Sequence, residues 1–467
     1  MKISTKTKIA YAIGGLGKDM MFAMSTIMLY YFNNLLGISS AFLGIMMMLV
    51  RVWDAVNDPM MGGLVDKTKS RWGKFRPWIL VGTILNSIVL VVLFMNPDFV
   101  TNSVQQYVFV TVLYTLWGMT YTLMDIPFWS MIPALSTDTK ERVGITVFAR
   151  VFTSIGFIIV SAGYIFFAQL LGGGDSIANK TDGLFIFAII VSVIFIITQI
   201  VTVTNVKEKI TDRFEGKVTL KDIFKSLIDN DQLLVVMIVV LVINFTLYIT
   251  SGMAIYYITY DIGDVNLFGL FIMVGGVFQV LGSIVYPLLA KRFNRRKMFD
   301  FAIYAQFIGF IFLFLNAFVL GNNVVLLFVV GAFIFLGQGV FMVLQTILLA
   351  DVVDYGELKL GRRTEGVVFS VQTFVVKLAT GLSLGVIGIG LAVINFIEPI
   401  EESPEVFVEQ LQTGSTLEGM RIMMFILPLF GLLISKWIFT KKHIIDEDYH
   451  AQIINELELK KGVALDE

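Results

Sequence analysis

Twelve apolar runs, each long enough to cross a bilayer, recur along this chain, and no other feature limits its fold so severely. They fall at 9–37, 41–65, 78–95, 105–135, 144–172, 183–204, 230–258, 266–290, 299–319, 325–353, 366–396 and 419–440. A helix needs about 20 apolar residues to span the hydrocarbon core. Inside lipid every backbone N–H and C=O must find a partner within the protein, so segments of this kind are helices. Composition agrees: 57% of the 467 residues are hydrophobic and 15% are charged. The expected fold class is an all-α membrane protein with twelve transmembrane helices.

The connections between the runs alternate in charge. The N-terminus carries Lys2, Lys6 and Lys8, loop 66–77 carries Lys67, Lys69, Arg71, Lys74 and Arg76, and loop 136–143 carries Lys140 and Arg142. Segment 205–229, loop 291–298, loop 354–365 and the tail from Lys441 are basic as well, whereas the intervening loops are nearly free of Lys and Arg. This is the positive-inside pattern. It predicts a multi-pass protein of the cell (plasma) membrane with both termini cytoplasmic. The N-terminal run does not read as a signal peptide, because Lys18 and Asp19 interrupt it.

Segment 205–229 is the longest polar interruption on the basic side, and it divides the runs six and six. "RVGITVFARVF" (142–152) aligns with "TEGVVFSVQTF" (364–374) at an offset of 222, which also carries loop 67–76 onto the basic cluster at 289–298. The predicted organisation is a six-helix half over 1–204, a middle loop over 205–229, a second half over 230–440 and a tail over 441–467. Two related six-helix halves are the architecture of the major facilitator superfamily, with a site expected near the midplane between the halves.

A net charge of −1 argues against nucleic acid as a partner, and the absence of cysteine excludes disulfide and thiol chemistry. Both histidines, His443 and His450, lie in the polar tail, so no buried histidine is expected as a metal ligand or proton relay.

Charges within the apolar runs cost about 2.5–3.5 kcal/mol each at mid-bilayer on insertion scales. Some of them could be structural ion pairs. In "RVWDAVNDPMMGGLVD" (51–66), Asp54 and Asp58 stand at i and i+4, so their carboxylates share one helix face, and Asn57 adds an amide near it. Two carboxylates in low dielectric repel, so one is protonated or a cation sits between them. On the fourth run Thr122 stands one turn before Asp125, and Pro127 frees a carbonyl. Carboxylates, an amide and a hydroxyl form a hard-oxygen set suited to an alkali cation. That set favours sodium, though a proton would also relieve the repulsion, and no other metal site is expected. A second group, Lys18, Asp19, Asp125, Trp129 and Arg150, combines carboxylates that accept from hydroxyls, a guanidinium fork and an indole that can stack on a sugar face.

At these residues the chain resembles the melibiose-permease-type family of glycoside–pentoside–hexuronide:cation symporters. The shared strings are "GGLGKDM" (14–20), "RVWDAVNDPMMGGLVDKTKSRWGKFRPW" (51–78), "YTLMDIPFWSMIP" (121–133), "ARVF" (149–152), "ADVVDYGELKLGRRTEG" (350–366) and "SVQTFVVK" (370–377), in family order across nearly all twelve runs. The resemblance implies a coupling-cation site of Asp54, Asn57, Asp58 and Thr122, with Asp125 where the two sites meet. It implies a sugar site of Lys18, Asp19, Tyr121, Asp125, Trp129, Arg150, Gln372, Thr373 and Lys377. Phe341 and Met342 stand where melibiose carriers tend to have a tryptophan, a departure that weighs against an α-galactoside. "GGLVDKTKSRWGKFRP" also resembles the superfamily loop after the second helix, and "DYGELKLGRRTEG" would be its counterpart. Asp66, Arg142, Asp354, Glu357, Arg363 and Glu365 are then expected at a cytoplasmic gate.

The implied activity is cation-coupled sugar uptake by a monomer, with no cofactor beyond the coupling ion and no enzyme chemistry. A lysolipid or other amphiphile carrier on the same scaffold is the alternative. An intramembrane aspartyl protease is a remoter one, suggested by a GxGD string at Gly172–Asp175 and by Tyr260–Asp261.

Overall fold

The computed structural model describes residues 3–66, 68, 70–95, 102–135, 139–208, 225, 228–361, 365–398, 400–403, 406–408 and 410–463. Thirteen long helices are described. They are α1 (Thr5–Tyr30), α2 (Ser40–Asp66), α3 (Arg76–Leu93), α4 (Ser103–Leu135), α5 (Thr139–Gly172), α6 (Ile177–Asn205), α7 (Asp231–Tyr256), α8 (Leu267–Leu289), α9 (Arg295–Phe318), α10 (Val324–Leu360), α11 (Glu365–Val393), α12 (Gly414–Lys442) and α13 (Glu447–Val463). The first twelve correspond to the twelve apolar runs. Ten of these are apolar enough along their length to cross a membrane. The other two, α1 and α2, have the length, at 26 and 27 residues, but carry Lys18 and Asp19, and Arg51, Asp54 and Asp58.

Several helices begin before their apolar run does, and capping explains why. Asn294 and Asn323 each accept the N–H three residues on, as do Ser4, Ser176 and Thr413. Such side chains satisfy first-turn donors that the helix itself leaves open. Hydropathy reports the part of a helix in lipid; the cap decides where the helix starts. α1 and α7 each end in a π-turn, Tyr31–Leu35 and Tyr257–Ile262. α4 runs through Pro127 without interruption. The acidic loop before α12 is not wholly irregular: Ile400–Ser403 and Val406–Val408 pair as a short antiparallel hairpin.

Packing divides the chain into two compact units. One comprises Met1–Lys217, Val265–Gly269 and Gly388–Gln412; the other comprises Val218–Asp264, Leu270–Ile387 and Thr413–Glu467. In the first, α1 packs on α5 and α6, α3 on α4 and α6, and α2 on α4. In the second, α7 packs on α12 and α9 packs on α10 and α12. The first-with-sixth, third-with-fourth and third-with-sixth pairings therefore recur, as the 222-residue offset leads one to expect.

Small residues allow the closest approaches around α1. A Cβ at Gly17 would meet Thr198 Oγ1 at 1.9 Å, and one at Gly156 would meet the Leu16 carbonyl at 2.2 Å. On α4, Val104, Val108, Val112 and Leu116 form an exposed stripe at four-residue spacing, while Tyr114, Trp117, Tyr121, Met124 and Phe128 are buried behind it. That is the division expected of a helix with one face in lipid. The start of α3 has no side-chain cap of its own. The Glu208 carboxylate serves instead, accepting the N–H groups of Lys74, Phe75 and Arg76 at 2.7, 2.9 and 3.2 Å. Helix N-termini favour anions in this position.

Candidate functional site

Two polar groups stand inside the first unit. The first is centred on Lys18. Its Nζ lies 2.6 Å from Asp19 Oδ1 and 2.8 Å from Asp125 Oδ1, and it donates to the Tyr121 hydroxyl at 3.1 Å. An ammonium has three protons, so these partners saturate it. The Lys18 side chain is 5% exposed against 20% and 29% for Asp19 and Asp125. Trp129 lies beside the group: Lys18 Nζ is 5.2 Å from its ring centre and Arg150 Cζ is 4.4 Å from it. Arg150 is exposed. Behind the group, Tyr11 stacks on Phe128 and donates to the Phe128 carbonyl at 2.5 Å. Lys18, Asp19, Tyr121, Asp125, Trp129 and Arg150 are thus brought together on α1, α4 and α5.

The second group is on α2 and α4. Thr122 Oγ1 donates to Asp58 Oδ1 at 3.1 Å. A hydroxyl that gives its proton to a carboxylate keeps its lone pairs for another ligand. Asp54 is 2% exposed and Asn57 3%. Asp54 does not simply face Asp58 as a like charge: its Oδ2 accepts from Arg51 Nη1 at 3.1 Å. The expected repulsion between the carboxylates is therefore offset on one side by a guanidinium from the same helix. Arg51 and Asp54 are three residues apart, which is ion-pair spacing on a helix. Asp54 Oδ1 is buried without a hydrogen-bond partner among the described residues, as is Asn57 Nδ2. The N and O of an amide exchange places by a simple flip, so Asn57 can present its oxygen instead.

In the second unit, Gln372, Thr373 and Lys377 lie within two turns of one another on α11. Asp354 and Glu357 lie on the last turns of α10, with Asp354 Oδ2 3.2 Å from His450 Nε2 of α13. The side chains of Asp66, Arg142, Arg363 and Glu365 lie outside the described residues. The tail histidines are more engaged than a polar tail suggests. Arg295 approaches both oxygens of Asp351 at 2.9 and 2.8 Å, and His450 Nε2 is 3.4 Å from Asp351 Oδ1. His443 closes α12 and stacks on Phe439. Burial and the neighbouring Arg295 and Arg296 push its imidazole down to about 4. Amphipathic patterning is weak in α13, so sequence alone gives little signal for this docking.

The aspartates of the protease-like strings are both engaged. Asp261 accepts two hydrogen bonds from Arg421, at 2.7 and 2.6 Å. Asp175 accepts from Gln169 at 2.8 Å and lies 3.0 Å from Lys180 Nζ.

The pattern of the MFS/sugar transport protein family matches residues 10–441. The chain belongs to this family. As a member of the MFS/sugar transport proteins it is a multi-pass membrane transporter and not an enzyme, which sets the protease reading aside. A lactose permease of Lactobacillus delbrueckii subsp. bulgaricus is 31% identical over 480 residues, covering 99% of this chain and 74% of the relative. A putative glycoside/cation symporter of Escherichia coli, YagG, is 27% identical over 407 residues, covering 86% of each. Among solved structures, an inward-facing, unoccupied bacterial homologue of the human lysosomal transporter Spinster aligns with a TM-score of 0.67 at 12% identity, covering 95% of this chain and 100% of that one. That likeness concerns the fold.

Proposed function

We propose that this protein takes up a glycoside or related sugar by coupling it to inward flow of a monovalent cation, sodium in preference to a proton. The observation that carries the reading is the buried Asp54 Oδ1. It lacks a partner among the described residues and stands on the helix face whose next carboxylate, Asp58, holds the Thr122 hydroxyl. A buried carboxylate oxygen without a donor is costly, and a small cation ligated by Asp54, Asp58, Asn57 and Thr122 removes that cost. All four supply hard oxygen, which favours sodium. The names of the relatives described above support a sugar as cargo and a cation as its driver.

Lys18, Asp19, Tyr121, Asp125, Trp129 and Arg150 bind the sugar, and Gln372, Thr373 and Lys377 contribute from α11. Cation binding organises Asp125, and the loaded carrier alternates the side to which the site opens. Asp66, Arg142, Asp354, Glu357, Arg363 and Glu365 act at the cytoplasmic gate, both termini are cytoplasmic, and the monomer is sufficient. One cation crossing 100 mV gains about 2.3 kcal/mol, and a tenfold gradient adds about 1.4 kcal/mol. Together they support roughly a few hundred-fold accumulation.

The test is uptake into proteoliposomes of radiolabelled lactose, α-galactosides, pentosides and hexuronides. Each is assayed with an inward sodium gradient at fixed pH and with an inward proton gradient without sodium. Sodium-stimulated accumulation of one sugar is expected. Stimulation by protons alone would replace the ion. Stimulation by neither, or movement of a lysolipid in place of any sugar, would overturn the reading.

A further inference from the structure

The two polar groups of the first unit are joined by a row of aromatic rings on α4, of which only Tyr121 belongs to either group. Tyr114, Trp117 and Tyr121 stand at i, i+3 and i+7 on α4, along one face. Their rings form a stack, with centroids 6.1 Å apart at 23° and then 5.7 Å apart at 19°. Tyr114 and Trp117 are each 1% exposed and Tyr121 is 9% exposed. At one end, Arg51 Cζ lies 6.0 Å from the Tyr114 ring while its Nη1 holds Asp54. At the other, the Tyr121 hydroxyl accepts from Lys18, which holds Asp19 and Asp125. Seven residues of helix separate the ends, about 10 Å.

We propose that this stack, with Trp117 at its centre, is the positioning element that links occupancy of Asp54 to the setting of Lys18 and Asp125. The proposal rests on the symport reading above and adds a route for the coupling which that reading leaves unspecified. A cation at Asp54 competes with Arg51 for the same carboxylate. The guanidinium then shifts against the Tyr114 ring that it already faces. A stack buried in close-packed protein cannot absorb a ring shift locally, so the displacement passes to Trp117 and Tyr121 and alters the hydrogen bond that Tyr121 takes from Lys18. Trp117 fits a positioning role because its ring is enclosed between those of Tyr114 and Tyr121. Its backbone carbonyl is pinned by Asn86 Nδ2 from α3 at 2.8 Å, so the ring moves against a fixed backbone.

The quantity to measure is the ratio of sugar affinities with and without the driving cation, for the sugar that accumulates best in the uptake panel. In the unaltered protein a ratio on the order of ten is expected. Trp117→Met, similar in apolar character but without a ring, should bring the ratio to within twofold of one while cation-free affinity moves less than about threefold. Trp117→Phe, which keeps a ring in the stack, should retain at least half of the ratio. Tyr114→Leu breaks the stack at the Arg51 end with Trp117 intact, and it should behave like Trp117→Met; it also serves if the latter does not fold. A wild-type ratio in Trp117→Met or Tyr114→Leu would overturn the proposal. So would a proportional loss of both affinities at constant ratio, since that marks a merely structural residue. If the unaltered protein shows a ratio of one under every cation tried, the symport reading itself fails and this inference falls with it.

Discussion

The two carboxylate oxygens of Asp54 have different surroundings, one on Arg51 and one unpartnered among the described residues. Asp54→Asn keeps the shape but removes the charge that a cation and Arg51 share. Cation-driven sugar accumulation should fall from the hundred-fold range to near unity, while sugar exchange without a gradient persists; counterflow alongside uphill uptake in proteoliposomes checks both. Lys18→Met strands two carboxylates that are only partly exposed. Breaking a fully buried pair costs about 3–5 kcal/mol; with Asp125 at 29% exposure the loss should be nearer 1–3 kcal/mol, read as a lower midpoint of thermal unfolding together with loss of sugar binding. At this scale much of the grouping of side chains in the candidate site is legible in the sequence. The i, i+4 spacing puts Asp54 and Asp58 on one face, and the strings around Lys18, Thr122 and Asp125 name their neighbours. The role of Arg51 is not, because helical spacing permits the pair without requiring it. The Trp117 stack is not, because an aromatic in an apolar run reads as ordinary core.

Elements are positioned by the residues that let them approach. Gly156 faces the Leu16 carbonyl at a distance no Cβ tolerates, and a backbone carbonyl cannot swing aside as a side chain would. Gly156→Ala should separate α5 from α1, costing about 1–3 kcal/mol as overpacking does. Because Lys18 is half a turn beyond Leu16, sugar affinity should fall with it, which a paired measurement of unfolding midpoint and sugar binding will show. The last helix meets α10 through His450, whose Nε2 lies 3.4 Å from Asp351 and 3.2 Å from Asp354. His443, at the end of α12, lies below its ordinary range, so the folded state favours neutral imidazole and unfolding takes up a proton. Stability from this source is complete above about 6.5, the free value, and is lost as pH falls towards 4, by up to about 3 kcal/mol. The midpoint of thermal unfolding should fall over that window, and His443→Gln, which cannot charge, should flatten the response. Helix number is legible from hydropathy, whereas helix ends are set by capping residues and the docking of α13 by contacts made only after folding.

At the scale of the molecule, the twelve apolar helices among the described residues follow from apolar length, and their recurring pairing order from the 222-residue offset. Lipid imposes the first on any such chain and the internal repeat carries the second, which is why both can be read in advance. Coupling is a different kind of property, since it is a free energy between two sites and must be reciprocal. Whatever factor the cation adds to sugar affinity, saturating sugar must add to cation affinity. Isothermal titration of the cation with and without sugar should return the same factor within error, and unequal factors would mean that the two ligands do not share one equilibrium.

The ammonium of Lys18 has no idle proton. A hydroxyl arriving there can only trade places with Asp19, Asp125 or Tyr121, so each new bond is matched by one that is given up. Cargo held on such terms is held loosely and let go quickly. For a shuttle that must empty itself at the end of every trip, a preoccupied host is an advantage, and turnover gains what grip forgoes.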